Sequence, residues 1–162
     1  MGVGKGSVAR EMVKDSDLVA IDTDDLIESM ENRKIKAIFE SDGEDYFRLL
    51  EKKVALWLEK SVKNSIISTG GGFFKQKNLK KVGTIVLLDS PFDEIIQRIK
   101  EHPNAEKKFK KRPLLNNLDK AKKLYDERRV EYLKVADIVV DVTKKSASNC
   151  AKEIFKKVKK HG

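Results

Sequence analysis

Four short apolar runs punctuate the chain: Leu18–Ile21, Ser65–Ser68, Thr84–Leu88 and Ile138–Val142. Most are rich in Val, Ile or Leu and lack polar alternation, which predicts strands buried on both faces, as in a parallel sheet. Between them apolar residues recur at three- and four-residue steps. Phe47, Leu50, Val54 and Leu58 share one face, and Leu118, Ala121, Tyr125 and Tyr132 share another, the signature of amphipathic helices. Strands alternating with helices predict a doubly wound α/β fold. In that architecture ligands collect beyond the carboxyl ends of the strands. Residues 102–117 are rich in Lys, Asn and Pro and show no period. A long patternless stretch in a compact domain is most often a mobile lid. With no internal repeat or low-complexity linker, residues 1–162 read as one domain, a usual single-domain length.

Composition narrows the class. Cys150 is the only cysteine, so an internal disulfide framework and a Cys-based zinc cluster are excluded. No apolar run approaches the roughly 20 residues that span a bilayer, and the opening residues lack a signal-peptide core. The expectation is a cytoplasmic protein without a membrane partner. Thirty-five Lys and Arg against 26 Asp and Glu give a net charge of +9. That surplus suits nucleotides and anionic metabolites as well as nucleic acid. Aromatic residues make up only 7% of the chain, too few for the stacking platforms of single-strand binders. The lysines of 156–160 read as the solvated face of a last helix.

Six of the nine glycines fall in two clusters, where backbone must approach something closely. Gly2-Val3-Gly4-Lys5-Gly6-Ser7 precedes a helical stretch from Val8 to Val13. A Gly-rich turn into a helix N-terminus aims N–H groups at a phosphate, with a lysine in reach of the β- and γ-phosphates. The alternative is a loose terminus. Asp22-Thr23-Asp24 closes the first apolar run; one carboxylate could help hold a magnesium ion and the other accept a hydroxyl proton. Helix capping is the rival, by Asp25 with Glu28 or by Asp24. Gly70-Gly71-Gly72 follows the second run and leaves room for a small ligand, or makes a tight turn.

Arginines complete the set. Arg128 shares the apolar face of Ala121, Leu124, Tyr125 and Tyr132, where a buried charge needs a partner and a guanidinium suits a carboxylate or phosphate. Arg129 points elsewhere, toward the surface. Arg48 stands four residues after Glu44, so a surface ion pair competes with a ligand role. Arg112, in Arg112-Pro113-Leu114-Leu115, sits in the predicted lid as either a phosphate-closing cation or a solvated charge.

Taken in chain order, Gly4-Lys5, Asp22-Thr23-Asp24, Phe47-Arg48 with Glu51, Gly70-Gly71-Gly72, Arg112-Pro113-Leu114-Leu115 and Arg128 with Tyr132 resemble the shikimate kinases, small P-loop kinases of metabolites. The resemblance covers essentially the whole chain. It implies a P-loop three-layer α/β/α sandwich with a central parallel sheet. It also implies transfer of the ATP γ-phosphate to the 3-hydroxyl of shikimate, in the route to chorismate and the aromatic amino acids. By the same resemblance Gly2 to Ser7 bind the nucleotide and Lys5 contacts the β/γ-phosphates. Asp22, with Ser7, places Mg²⁺. Asp24 binds shikimate and orients or deprotonates the attacking hydroxyl. Arg48 and Arg128 grip its carboxylate, and Gly70, Gly71 and Gly72 offer backbone contacts. Arg112 stabilises the transferring group, and Arg98 stacks near adenine. ATP and shikimate are the implied partners of a monomer, with no nucleic acid.

Two departures from the family pattern stand out. Gly6 occupies the place of the usual Ser or Thr, giving Gly-Lys-Gly-Ser, similar to adenylate kinases. The family also carries a strand and the opening of the P-loop ahead of the position of Met1. The expectation is therefore that the sequence starts at an internal methionine. Alternatives are another metabolite kinase, of gluconate- or adenylate-kinase type, and a degenerate, non-catalytic nucleotide-binding protein.

Overall fold

The computed structural model describes residues 2–110 and 112–161. Met1, on which the expectation of an internal start falls, and Lys111 of the predicted lid lie outside the described residues. In chain order the elements are α1 (Lys5–Lys14), β1 (Val19–Asp22), α2 (Thr23–Glu31), α3 (Ile35–Ser61), β2 (Ser65–Ser68), α4 (Leu79–Val82), β3 (Val86–Asp89), α5 (Phe92–Lys100), α6 (Ala105–Lys110), α7 (Leu118–Val135), β4 (Ile138–Asp141) and α8 (Ala147–His161). All four apolar runs are strands, shifted by at most two residues at either end, and the class is α/β.

The chain divides into two compact units, Gly6–Ile85 and Met1–Lys5 with Val86–Gly162. In the first, β1 pairs in parallel with β2, Val19 opposite Ser65 and Asp22 opposite Ser68. In the second, β3 pairs in parallel with β4, Val86 opposite Ile138 and Asp89 opposite Asp141. Parallel neighbours require a crossover connection. Helices α2 and α3 make it in one unit, and α5, α6 and α7 in the other.

The strands are less buried than their apolar character predicts. Val19 is 64% exposed and Val139 39%. Among the described residues each sheet has two strands, so each strand has one hydrogen-bonded neighbour where a central strand of a parallel sheet has two.

The core of the Gly6–Ile85 unit is the predicted face of α3. Phe47, Leu50, Val54 and Leu58 pack with Ala55, Ile27 and Ile38 around Phe73, which is fully buried. Helix α3 is kinked at Gly43, whose φ of 79° breaks the helical run; an L side chain there would be strained. Glu28 does not close a capping box with Asp25. Its carboxylate accepts from the backbone N–H of Ile35 at 3.0 Å and from Lys34 Nζ. It thus serves the first turn of α3, whose own N-cap, Lys34, makes no side-chain capping bond.

In the other unit α5 buries Phe92, Ile95, Ile96 and Ile99, and β4 and α8 bury Ile138, Val140, Cys150, Ala151 and Ile154. Helix α7 buries only Ala121 fully. Leu118, predicted on its apolar face, is 40% exposed, because it is the first helical residue, where the stripe has barely begun. The predicted lid is not structureless. It contains α6 and a 3-10 turn over Pro113–Asn116 that buries Leu115. Helix α6 is six residues long, with Ala105 and Phe109 its apolar residues, too short a run for a hydrophobic period to be read. In α8, Lys157 reaches back to donate to the Val139 carbonyl at 2.7 Å.

Candidate functional site

Most of the residues singled out by sequence gather in two clusters, one in each unit. In the Met1–Lys5 and Val86–Gly162 unit, the Gly-rich turn runs straight into α1 at Lys5. Gly2 and Gly4 have φ of 63° and 98°, values that glycine adopts without strain. At Gly2 space reinforces the choice: a Cβ would stand 2.8 Å from Ile99 Cδ1 and 3.3 Å from Ile95 Cγ2. At Gly4 a Cβ would meet nothing within 4 Å, so this backbone is open to a ligand. Helix α1 has no acidic residue in its first turn, which leaves the positive end of its dipole available to an anion.

Three further cations stand by that turn. Arg112 Nε lies 3.6 Å from where a Gly2 Cβ would be, and its Nη1 donates to the Lys108 carbonyl at 2.7 Å. Arg98, the candidate for stacking near adenine, donates from Nη2 to the Val3 carbonyl at 3.1 Å, which ties α5 to the turn. Burial, together with the Arg112 and Arg98 guanidiniums, pushes the Lys108 ammonium below its usual range. Like charges gathered in this way cost energy that a polyphosphate would relieve. Sequence reading left Lys108 among the unassigned lysines of the lid, since no spacing sets it apart.

The Gly6–Ile85 unit holds the carboxylates. Asp22 is the N-cap of α2, its Oδ1 accepting from the N–H of Asp24 at 2.9 Å and Asp25 at 3.3 Å. The rival capping reading therefore falls on Asp22, two residues before Asp24 and three before Asp25, because the helix starts directly at Thr23. Thr23 is fully buried and its Oγ1 accepts from the Gly70 N–H at 3.2 Å. This bond pins the glycine turn over the start of α2. Asp24 Oδ1, shielded from solvent, lies under Gly70: a Cβ there would come within 2.5 Å of it.

Gly72 is occupied on its bare side by Arg48, whose Nη1 would be 2.2 Å from a Cβ and Cζ 2.8 Å. Two of the three glycines are thus required by close approach of a functional side chain rather than by a turn. Arg48 Nη1 donates to Glu51 Oε2 at 2.6 Å, and Nε and Nη2 donate to Glu44 Oε1 at 3.1 and 2.7 Å. Burial alone would disfavour the charged guanidinium, but the bonds to Glu51 and Glu44 outweigh it and hold Arg48 above the usual arginine range. Glu51 is 1% exposed. A signal for it existed in the sequence, since Glu51 interrupts the apolar stripe of Phe47, Leu50, Val54 and Leu58.

Arg128, half-buried on α7, hydrogen-bonds Tyr132 one turn on, whose hydroxyl burial pushes above its usual range against the pull of that guanidinium. Arg129 is exposed, as expected, and is also paired. Its Nε and Nη2 grip both oxygens of Asp89, at the end of β3, at 2.8 and 2.6 Å. Nearby Tyr125 donates to the Ser90 carbonyl, anchoring the same strand end.

Among the described residues no three His, Cys, Asp or Glu side chains form a metal cage. Asp22 and Ser7 supply hard oxygen donors instead, and Ser7 Oγ already accepts from Arg10 Nη2 at 3.2 Å. Such a set fits a magnesium-type ion, which uses one or two carboxylates with water and substrate phosphates. A Cβ on Gly6 would meet only Arg10 Nη1 at 3.5 Å, so the backbone accommodates a serine there. No helix of the described residues is long and apolar enough to cross a membrane.

Comparison with known proteins extends over the same length. The profile of a family described as shikimate kinase matches residues 1–159. A curated shikimate kinase of Clostridium botulinum is 39% identical over 162 residues, covering 96% of this chain and 92% of its own. One from Sulfurihydrogenibium is 36% identical, covering 99% and 94%. The solved shikimate kinase of Acinetobacter baumannii in complex with shikimate superposes with a TM-score of 0.85 at 30% identity, over 99% of this chain and 89% of that one.

Proposed function

Because the chain belongs to the shikimate kinase family, we propose a role in one phosphoryl transfer for each residue of the two clusters. The protein is an ATP-dependent kinase that moves the γ-phosphate of ATP to the 3-hydroxyl of shikimate, giving shikimate 3-phosphate and ADP. The reaction belongs to the synthesis of chorismate and the aromatic amino acids. Phosphoryl transfer asks little covalent chemistry of a protein and much positioning and charge stabilisation.

The nucleotide falls to the Gly-rich turn. The N–H groups from Gly2 to Ser7 bind the phosphates, Lys5 neutralises the β- and γ-oxygens, and Arg112 stabilises charge on the transferring group. Arg98 holds the Val3 carbonyl and so fixes the turn. The acceptor falls to the carboxylate cluster. Asp24 takes up the acceptor hydroxyls and the proton of the attacking one. Arg48 and Arg128 supply guanidiniums for the shikimate carboxylate, and Gly70, Gly71 and Gly72 supply backbone contacts. A divalent cation goes with the nucleotide in this family. We assign it as Mg²⁺, held by Asp22, through water, and by Ser7; when bound it would neutralise phosphate charge. Residues 102–117 serve as the lid of a single kinase domain, and the protein works as a cytoplasmic monomer.

The observation that carries this reading is Arg48 laid against the bare backbone of Gly72, with Asp24 beneath Gly70. A cation and a carboxylate converge on one glycine turn, which suits an acceptor bearing both a carboxylate and hydroxyls. Coupled release of ADP is the direct check. It is expected with ATP, Mg²⁺ and shikimate, and not with gluconate or AMP in place of shikimate. Equal rates with AMP would favour the adenylate-kinase reading, and folded protein with no turnover the degenerate one.

Asp22 has two duties in this scheme, which two substitutions separate. Asn caps helices about as well as Asp, whereas losing the cap to Ala costs about 1 kcal/mol. Asp22→Ala should therefore lower Tm by about 2–4 °C, and Asp22→Asn should leave it unchanged. Both should raise the Mg²⁺ concentration needed for half-maximal rate. An unchanged magnesium requirement in Asp22→Asn would remove Asp22 from the metal site.

A further inference from the structure

The guanidinium assigned to the acceptor's carboxylate already holds carboxylates of its own chain. Arg48 has two edges able to fork onto a carboxylate, Nε with Nη2 and Nη1 with Nη2. Glu44 takes both donors of the first edge, and Glu51 takes Nη1 of the second. An incoming carboxylate must therefore compete on either edge. The two competitors differ sharply: the Glu51 side chain is 1% exposed and the Glu44 side chain 59%. Removing Glu51 would leave a buried carboxylate without its guanidinium, whereas Glu44 exchanges Arg48 for water at little cost. Glu44 is also the first residue after the Gly43 kink, one turn ahead of Arg48, so its place is set by the break in α3.

We infer that Glu44 is a specificity-determining residue that occupies the Arg48 fork as a stand-in for the acceptor's carboxylate, is displaced when shikimate binds, and so weakens apparent affinity for it. The inference rests on the assignment of Arg48 to the shikimate carboxylate. Its consequence is selective. A neutral polyol gains nothing from Arg48 and cannot displace Glu44, whereas an anionic acceptor replaces one carboxylate with another and keeps the guanidinium paired throughout.

The test is steady-state kinetics of the full chain and of Glu44→Gln, with shikimate varied at saturating ATP and Mg²⁺. An exposed pair of this kind is worth a small amount, so KM for shikimate should fall about two- to fivefold in the variant. The value of kcat and the KM for ATP should stay put, because only ground-state competition has been removed. Calorimetric titration of shikimate without nucleotide should give the same fold-change in Kd. A KM that rises in Glu44→Gln would overturn the inference and make Glu44 a support for Arg48. An unchanged KM beside an active wild type would also overturn it, leaving the acceptor assignment intact. No shikimate-dependent turnover in either protein would overturn that assignment, and the inference with it.

Discussion

Asp24→Asn will fold and bind shikimate but lose about 10²- to 10⁴-fold in kcat, the range a positioned proton acceptor contributes. Asp24 sits in the first turn of α2, with Oδ1 shielded from solvent and tucked under Gly70. Asparagine keeps the shape and the ability to bond a hydroxyl, but it cannot take the proton. The substitution therefore isolates proton transfer from placement. Single-turnover kinetics with calorimetric Kd for shikimate separates the two. A loss confined to Kd would make Asp24 a binding residue only, and a loss under tenfold in both would remove it from the site.

Arg112→Ala should cost about 10³-fold or more in kcat, at the lower end of what an arginine contributes to phosphoryl transfer when it meets developing charge. Arg112 stands beside Gly2 with Nη1 on the Lys108 carbonyl, so its guanidinium is aimed by the backbone of α6. Arg112→Lys should recover only part of the rate, because an ammonium lacks the planar fork that spans two oxygens. Stability should change little, since Leu115 rather than Arg112 buries this segment. If Arg112→Ala raised KM for ATP and spared kcat, Arg112 would be a ground-state phosphate contact and not a transition-state one.

Much of this was legible in the sequence wherever a periodic or punctuating signal existed. The apolar face of α3 gives the core of its unit because its spacing is strict, and the glycine clusters give the two places where side chains and backbone crowd. What escaped had no periodic mark. Helix α6 is short and has only Ala105 and Phe109 as apolar residues, too few to show a hydrophobic period. Asp22 as the cap of α2 turns on where a helix begins, which carboxylates in a row do not disclose. Arg129 and Asp89 are 40 residues apart, and their pairing depends on how α7 runs past the end of β3. The exposure of Val19 and Val139 follows from strand order, a property of pairing across the chain that no local window contains.

The reach of Lys157 to the Val139 carbonyl bears on a different hazard. The Val142 N–H donates to Asp89 on β3, so along that strand the even-numbered residues face β3 and the Val139 carbonyl lies on the outer edge. An outer strand with bare carbonyls and exposed valine is a template onto which another polypeptide can add. A lysine ammonium laid along that edge, itself paired with Glu153 at 2.9 Å, occupies an acceptor to which a stacking strand would have to bond. The same contact makes the edge chemically conditional. Acetylation of the Lys157 amine would remove the charge and loosen the clasp, leaving the Val139 carbonyl bare to a stacking strand.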